Sequence, residues 1–283
     1  MSTPTEINYF KDLPSNVTMA LQEDIGEGDL SAGLIDKNRQ ASAKIVAKEP
    51  AVICGRPWFD AVFDQVDPSI QITWLCNEGD RVDENTVVCE LKGNAAALLT
   101  AERSALNFLQ TLSATATQTA AYVAQLQGSR TTLLDTRKTL PGLRLAQKYA
   151  VKCGGGTNHR IGLYDAILIK ENHIMAAGSL YNAVTTAKQQ HPDTTVEVET
   201  ETLEEVQQAL DAGADIIMLD NFSLTMIREA VKLNDGKAKL EVSGNVEIDR
   251  LPALAETQVD FISTGAITKH IQAIDFSMRF NLE

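Results

Sequence analysis

The sequence has few cysteines, few aromatic residues and no long apolar run. Its four cysteines are Cys54, Cys76, Cys89 and Cys153, and no pair has the close spacing of a zinc site or a redox motif. No stretch approaches the roughly 18–20 apolar residues that a membrane helix needs. The first 13 residues lack the basic and apolar regions of a signal peptide. These absences predict a soluble, reduced, cytoplasmic protein without a membrane partner.

Positive charge is also scarce. The chain has 25 Lys and Arg against 38 Asp and Glu, a formal net charge of −13. Because nucleic-acid binding requires a broad cationic surface, this balance argues against a nucleic-acid partner. A chain of 283 residues with 44% hydrophobic content is long enough for two domains, or for one barrel with an addition.

One stretch reverses this charge. Between Thr131 and Lys170 there are seven Lys or Arg and two Asp or Glu. The cations alternate with turn residues at Pro141-Gly142 and Gly154-Gly-Gly156, and turns beside strand ends are where sites are usually built. The pattern favours a pocket for a ligand with several negative charges over its alternative, a solvated basic face.

The first part of the chain has a different secondary-structure pattern from the rest. Short β-rich runs separated by Pro and Gly extend from Ala41 to Leu91. Asn94 to Leu126 then has apolar residues at helical spacing, which predicts one long helix or two in tandem. Arg103 lies within this helix, and its spacing alone is typical of a surface charge.

From Thr131 onward, strand and helix patterns alternate, which predicts a parallel sheet with right-handed crossovers. Six runs are strand candidates. Amphipathic patterns between them predict helices at about 144–152, 180–190, 203–212, 224–233 and 248–256. The strand candidates are 132–135, 166–170, 195–199, 216–220, 239–243 and 260–264.

Polar residues end five of these strands, at Lys170, Glu199, Asp220, Ser243 and Thr264. Their separations are 29, 21, 23 and 21 residues, one strand-helix unit each. In a barrel of parallel strands, the carboxyl ends of the strands meet at one mouth, where barrel enzymes have their active sites. A doubly wound open sheet would also align them along one edge. Because only six strands are clear, an open or irregular barrel is the favoured fold.

The residue types at this mouth indicate a phosphate substrate and a metal ion. Glu199 and Asp220 are oxygen ligands suited to Mg²⁺, and Glu197 lies on the same strand face as Glu199. The small-residue loops Ser243-Gly-Asn245 and Thr264-Gly-Ala266 are typical of phosphate binding. Cations for phosphate or carboxylate groups come from Arg137, Lys138, His159, Arg160 and Lys170. The residues alone therefore predict a metal-assisted reaction of a phosphate ester or diphosphate.

Longer motifs then identify a family. Asp135-Thr-Arg-Lys-Thr-Leu-Pro-Gly142, Gly154-Gly-Gly-Thr-Asn-His-Arg160 and Leu240-Glu-Val-Ser-Gly-Asn-Val246 closely resemble the quinolinate phosphoribosyltransferase family, and the resemblance covers nearly the whole chain. It extends to Glu23–Asp29, Ala101–Leu109, Ile169–His173, Glu197–Glu199 and Met218–Asn221.

The resemblance implies a fold and an assembly. The fold is an N-terminal α/β sandwich domain at residues 1–114 followed by an open α/β barrel with fewer than eight strands at residues 115–270. The tail at 271–283 would pack back on the first domain. The assembly is a homodimer in which Arg103 of one subunit reaches the other subunit's substrate, which replaces the surface interpretation of this residue. Whether dimers assemble further is left open.

The resemblance also implies roles for the residues of the mouth. Arg137, His159 and Arg160 would bind the two carboxylates of quinolinate, with Lys138 and Lys170 near the reacting groups. Glu199 and Asp220 would hold Mg²⁺ and the ribose diphosphate, and these two carboxylates and the two lysines would be the catalytic residues. The remaining predicted substrate contacts are Thr136, Ser243, Gly244, Asn245, Thr264, Gly265 and Ala266.

The implied activity is that of an Mg²⁺-dependent glycosyltransferase of NAD biosynthesis. It converts quinolinate and phosphoribosyl diphosphate to nicotinate mononucleotide, diphosphate and CO₂. Two alternatives remain: a pyrophosphorylase of the same fold that uses another base, and a barrel that binds a metabolite without turnover.

Overall fold

The structure is a computed structural model that describes residues 7–282 of the chain. These residues divide into two units. The N-terminal unit contains residues 8–120, 140–155 and 270–282, and the barrel unit contains residues 121–139 and 156–269 together with Ile7. Residues 1–6 of the predicted first domain lie outside the described part. The predicted domain boundaries at residues 114 and 270 stay a prediction.

The N-terminal unit is built on a four-stranded antiparallel sheet, β12-β1-β5-β3 in spatial order. A second sheet pairs the two short strands β2 and β4. The strands are β1 Gln40–Ala47, β2 Ala51–Val52, β3 Gln71–Trp74, β4 Arg81–Val82, β5 Val87–Asn94 and β12 Phe276–Leu282, and the helices are α1 Leu13–Ile25, α2 Arg56–Val66, α3 Ala95–Ala124 and α4 Arg144–Cys153.

The core of this unit follows from simple periodicity. Along β1, alternate residues Ala41, Ala43 and Ile45 are buried, because successive strand side chains point to opposite faces. Helix α2 buries Trp58, Phe59, Val62 and Phe63, which share one face at helical spacing. Together these residues belong to one continuous apolar core.

A partly buried carboxylate lies at the N-terminus of helix α2. Glu78 accepts hydrogen bonds from the backbone N–H groups of Arg56 (2.6 Å) and Gly55 (3.0 Å). Cys54 and Cys153 lie close enough to Glu78 to share an ion with it. However, a helix N-terminus and the nearby Arg56 stabilise an anion and disfavour a cation. Burial also raises the pKa of the Cys54 thiol, so this cluster is best interpreted as a helix cap.

The barrel unit is a six-stranded parallel sheet in the order β6-β11-β10-β9-β8-β7, with β6 and β7 at its open edges. This arrangement confirms the predicted open α/β fold with fewer than eight strands. The strands are β6 Thr132–Leu134, β7 Ile167–Ile169, β8 Val196–Thr200, β9 Ile216–Asp220, β10 Lys239–Ser243 and β11 Phe261–Ser263, and the helices are α5 Glu171–Ala177, α6 Leu180–Gln190, α7 Leu203–Asp211, α8 Leu224–Asn234, α9 Leu251–Ala255 and α10 Ala266–Lys269.

The strand register brings polar residues together at one end of this sheet. Ser243 of β10 is opposite Asp220 of β9, and Glu199 of β8 is opposite Met218. Helices α6, α7 and α8 each begin at a residue with a side-chain hydroxyl. Ser179, Thr202 and Ser223 accept a backbone N–H of the first turn of their helix. The caps fix where each helix starts, and therefore how the loops leave the strand ends.

Helix α5 directly follows β7 and was not predicted from the sequence. The tail, which the resemblance implied would pack back on the first domain, forms strand β12, paired antiparallel with β1 in the N-terminal unit. In the described part of the chain, no helix has the length and apolar content needed to cross a membrane.

Candidate active site

The carboxyl ends of the parallel strands surround a cavity of about 330 Å³ in the barrel unit. Nine of the residues predicted from the sequence line this mouth, and four of them are polar strand ends; the fifth predicted strand end, Thr264, is buried and does not line it. Three further residues, Leu168, Met218 and Ser263, complete its wall. The nine are Thr136, Arg137, Lys138, His159, Arg160, Lys170, Glu199, Asp220 and Ser243.

Two guanidinium groups share the basic part of the mouth. Burial, and then the positive charge of Arg137, lower the pKa of Arg160. Two neighbouring cations that are partly removed from water repel each other, and an anion between them would relieve that repulsion. This part of the mouth is therefore suited to a ligand with carboxylate or phosphate groups.

The loop after β6 positions Lys138. The hydroxyl of Thr136 accepts the backbone N–H of Lys138 at 3.0 Å, and the carbonyl of Lys138 accepts the hydroxyl of Thr268 at 2.8 Å. A Cβ added to Gly265 would lie 3.0 Å from Cδ of Lys138. Because glycine leaves this space open, the lysine side chain can pass close to the backbone of the loop after β11.

Two carboxylates form the acidic part of the mouth. Lys170 Nζ lies 2.5 Å from Glu199 Oε2. Burial, and then the charge of Glu199, raise the pKa of Asp220, so a cation beside it would favour its charged form. Asn221 donates to Asp220 at 2.8 Å. Such a pair is suited to a divalent cation that completes its shell with water and phosphate oxygens.

The loop after β10 requires glycine at one position. Gly244 has φ +88°, and a Cβ there would lie 2.3 Å from Oδ1 of Asn221 and 2.9 Å from Oδ1 of Asp220. Asn245 follows in a left-handed conformation with φ 48°. Only glycine combines this backbone conformation with such a close approach. The loop therefore brings its backbone directly beside the carboxylate of Asp220.

The loop after β11 is tied to the same region by Thr264. This buried hydroxyl donates to the carbonyl of Val246 at 3.1 Å and accepts the backbone N–H of Ala266 at 3.1 Å. Thr264 thus joins the two predicted phosphate loops, while its neighbour Ser263 lines the cavity. Period-two alternation along β11 could have identified Ser263 as the residue that faces the mouth.

Beneath the mouth lies a buried acidic pair that includes one residue not singled out in the sequence. Glu197 and Glu241 are 3% and 0% exposed. His159 Nε2 is 3.0 Å from Oε2 of Glu197 and 3.5 Å from Oε2 of Glu241. Glu241 lies two residues before Ser243 on β10, as Glu197 lies two before Glu199 on β8, so alternation alone would have placed both on the inner face.

Asp135 anchors the segment that carries His159. This residue is fully buried, and its carboxylate accepts the backbone N–H of His159 and the side-chain amide of Asn158, both at 2.8 Å. Arg103, the remaining predicted contact, belongs to the N-terminal unit and is exposed on α3.

Comparison with known proteins gives consistent matches along the chain. Residues 17–113 match the model of the quinolinate phosphoribosyl transferase N-terminal domain, and residues 115–279 match that of the C-terminal domain. A Synechocystis protein named probable nicotinate-nucleotide pyrophosphorylase (carboxylating) is 45% identical over 263 residues, which cover 92% of this chain and 89% of its own.

Solved structures agree with this result. A nicotinate-nucleotide pyrophosphorylase from Francisella tularensis has a TM-score of 0.95 and 49% identity, covering 99% of this chain and all of its own. Human nicotinic acid phosphoribosyltransferase has a TM-score of 0.62 and 14% identity, covering 95% of this chain and 73% of its own. The second likeness concerns the fold alone.

Proposed function

Since this chain belongs to the quinolinate phosphoribosyl transferase family, we propose that it transfers phosphoribose from phosphoribosyl diphosphate to quinolinate. The products are nicotinate mononucleotide, diphosphate and CO₂. The observation that carries this proposal is the division of one mouth into two parts. Paired guanidinium groups of Arg137 and Arg160 suit an aromatic diacid, and the carboxylates of Glu199 and Asp220 suit a metal-bound diphosphate.

The diacid would bind at the guanidinium groups. Arginine offers two parallel N–H donors that match a carboxylate, so two arginines can bind the two carboxylates of quinolinate and fix the plane of its ring. His159 lies beside Arg160 in the wall of the same cavity. The lowered pKa of Arg160 supports this placement, because burial and the charge of Arg137 disfavour its cationic form and a dianionic ligand would favour it.

Phosphoribosyl diphosphate would bind at the other part of the mouth. Lys138 and Lys170 supply positive charge. The loops at Ser243–Asn245 and Thr264–Ala266 supply backbone N–H groups close to the strand ends. The open space at Gly244 and Gly265 supports this role, since a phosphate group needs close access to the backbone.

The carboxylate oxygens at this part of the mouth also suit Mg²⁺. This ion usually takes one or two protein carboxylates and completes its shell with water and substrate phosphates. Glu199 and Asp220 would hold it, directly or through water. A cation shared by the two carboxylates would lower the raised pKa of Asp220. When bound, the ion neutralises charge on the diphosphate.

In the proposed mechanism, the chain's own residues position and stabilise charge without forming a covalent intermediate. The arginines hold the pyridine nitrogen towards C1 of the ribose while Lys138 and Lys170 stabilise the departing diphosphate. The nitrogen forms a bond to C1 as the bond from C1 to diphosphate breaks. The resulting positive ring then favours loss of the carboxylate next to the nitrogen as CO₂, and a proton takes its place.

We further propose that the enzyme is a homodimer with shared sites, in which Arg103 of one subunit contacts quinolinate bound to the other. The exposure of Arg103 on α3 supports its availability to a second chain. Mixing subunits that carry Arg103→Ala with subunits that carry Lys170→Ala tests this idea. Mixed dimers should recover activity that neither variant has alone, and their failure to do so would refute the shared site. The predicted cytoplasmic location stays a prediction.

The activity itself is tested with purified protein, Mg²⁺ and phosphoribosyl diphosphate. Quinolinate labelled in the carboxylate next to the nitrogen should release labelled CO₂ and form nicotinate mononucleotide in equal amounts. Nicotinate serves as the competing base. Product from nicotinate but not from quinolinate would select a pyrophosphorylase with another substrate, and binding of quinolinate without product would select a non-catalytic barrel.

A further inference from the structure

We propose that two buried glutamates, Glu197 and Glu241, hold the imidazole of His159 as the tautomer that carries its proton on Nε2. Through His159 they fix the backbone of Arg160, and Ser263 anchors Glu241 from the neighbouring strand. Glu197, Glu241 and Ser263 would thus be positioning residues for the diacid. The substrate in this inference rests on the proposed function, whereas the state of the imidazole does not.

The contacts of the imidazole define its tautomer. His159 Nδ1 lies 2.8 Å from the backbone nitrogen of Arg160 and accepts its N–H. A ring nitrogen that accepts a hydrogen bond uses its lone pair and carries no proton, so the proton of a neutral imidazole is on Nε2. Nε2 in turn lies 3.0 Å from Oε2 of Glu197. Both ring nitrogens are therefore bound to the protein.

This geometry changes the role expected for His159. With its two nitrogens bound to Arg160 and Glu197, the ring serves the diacid mainly by positioning its neighbour rather than by a cationic contact of its own. Its backbone is fixed as well, because Asp135 accepts the N–H of His159. The segment from His159 to Arg160 is thus fixed at the peptide and at the ring, so the guanidinium of Arg160 extends from a rigid base.

The acidic pair requires its own explanation. Two fully charged carboxylates side by side away from water would be costly. Among residues 7–282, Glu197 Oε1 and Glu241 Oε2 have no hydrogen-bond partner. One proton on Glu241 resolves both difficulties, because the protonated acid can donate to Glu197 and leaves one charged acceptor for His159.

Independent contacts support this division between the acids. Ser263 Oγ donates to Oε1 of Glu241 at 2.5 Å, which fixes the orientation of its carboxyl group. Burial, and then the charge of Glu197, raise the pKa of Glu241 to about 8. Glu241 is therefore the neutral member of the pair near neutral pH, and Glu197 Oε2, 3.0 Å from Nε2, is the nearer acceptor of the Nε2 proton.

The same three side chains are close enough to hold a metal ion, but the imidazole contacts argue against one. A metal would need the lone pair of His159 Nε2. The lone pair of Nδ1 is already used by the N–H of Arg160, and a neutral imidazole has only one unprotonated nitrogen. A metal ligand here would require loss of the contact to Arg160, so positioning is the better interpretation.

The test combines nitrogen NMR with kinetics. With four histidines in the chain, ¹⁵N-histidine spectra of the free enzyme can be assigned through His159→Asn. The wild type should show His159 protonated on Nε2 and unprotonated on Nδ1 near neutral pH. Glu241→Gln, which mimics the protonated acid, should keep this signature. Glu241→Ala removes the donor to Glu197, so it should weaken this signature and raise KM for quinolinate about tenfold, the effect of losing that charge-assisted hydrogen bond.

Two further variants keep the test decisive. Ser263→Ala removes only the donor to Glu241 and should raise KM for quinolinate about threefold, less than one full hydrogen bond, even if Glu241→Ala does not fold. Asp260→Asn is the matched control, because Asp260 pairs with Lys239 at the opposite end of β10, 2.8 Å away. It should lower the thermal midpoint without changing KM for either substrate.

Clear results would overturn the inference. A wild-type His159 protonated on Nδ1 would do so, as would equal rises of both KM values in Glu241→Ala and Ser263→Ala. The inference would also be contradicted if Glu241→Gln weakened the wild-type NMR signature and raised KM for quinolinate as Glu241→Ala does. Failure of the proposed function is a separate result: the wild type would not convert quinolinate, and the NMR spectra of the free protein would still decide the state of His159.

Discussion

Lys170 and Glu199 form an ion pair at the mouth, with 2.5 Å between Nζ and Oε2. The pair joins the end of β7 to the end of β8, so the lysine is in direct contact with a proposed metal ligand. In the proposed function, Lys170 would supply positive charge to the diphosphate from this position.

Removing this lysine should therefore affect turnover strongly. We expect Lys170→Ala to lower kcat by about 100-fold, the usual effect of losing one donor to a charge that develops in the transition state. Lys188→Ala is the matched control, because Lys188 forms a similar pair with Asp215, 2.7 Å away, away from the mouth. Steady-state kinetics of both variants check the prediction. If Lys170→Ala and Lys188→Ala had equal kcat values, Lys170 would have no specific role in the mechanism.

The guanidinium pair should determine affinity for the base. We expect Arg137→Ala and Arg160→Ala each to raise KM for quinolinate by about 10- to 100-fold, because a hydrogen bond to a charged group contributes about 1.5–3 kcal/mol. KM for phosphoribosyl diphosphate should change much less. Arg130→Ala is the control, since its guanidinium donates to the carbonyl of Gln258. A similar rise in both KM values would show a general disturbance of the mouth.

Much of the barrel unit could be predicted because each βα unit repeats one pattern. Apolar strands ending in a polar residue, followed by amphipathic helices, led to six strands and to helix α6 with the observed ends. Lys170, Glu199, Asp220 and Ser243 line one cavity for the same reason, since parallel strands end at a common edge.

Other features depend on contacts that no local pattern shows. Strand β12 exists because it pairs with β1, more than 200 residues earlier in the chain. Alternation along β10 places Glu241 on the inner face, but it does not show that the fold buries this carboxyl completely and beside Glu197. Whether a charged residue is exposed or buried depends on which elements pack around it, and that is a property of tertiary structure.

The close approach at Gly244 should make this position intolerant of any side chain. We expect Gly244→Ala to raise KM for phosphoribosyl diphosphate and to lower the thermal midpoint, because its Cβ would lie 2.3 Å from Oδ1 of Asn221. Gly236→Ala is the control. Gly236 has a similar φ of +75° but no heavy atom within 4 Å of an added Cβ, so it should show only the backbone cost of about 1 kcal/mol. Equal effects of the two variants would contradict the steric argument.

The buried acid should make stability depend on pH in a defined direction. The pKa of Glu241 is raised from its ordinary value of 4.5 to about 8 in the folded state. Between these values the unfolded state binds fewer protons than the folded state, so the free energy of unfolding contributed by this group falls as pH rises. Glu241→Gln removes that dependence.

We therefore expect the thermal midpoint of Glu241→Gln, relative to the wild type, to be higher at pH 8 than at pH 5, measured without Mg²⁺. Groups away from this cluster titrate equally in both proteins, so the difference between the two midpoints reports on the buried acidic pair and its histidine. A difference that stays constant with pH would show that Glu241 is not the protonated member of the pair.

Asp220 should determine how much Mg²⁺ the reaction needs. Burial and the charge of Glu199 raise the pKa of Asp220, so this carboxylate gains most from a nearby cation. Asp220→Asn removes the charge but keeps the shape. Since even outer-shell partners of a metal contribute about 10- to 100-fold in affinity, we expect the Mg²⁺ concentration for half-maximal activity to rise at least about tenfold.

Asp215→Asn is the control for this measurement, because Asp215 directly precedes β9, whereas Asp220 ends it. Its carboxylate pairs with Lys188 and accepts the backbone N–H of Val196, so its loss should lower stability without changing the need for Mg²⁺. Titration of Mg²⁺ at saturating substrates compares the two variants with the wild type. If Asp220→Asn required no more Mg²⁺ than Asp215→Asn, the metal would have to be held by Glu199 and the substrate without Asp220.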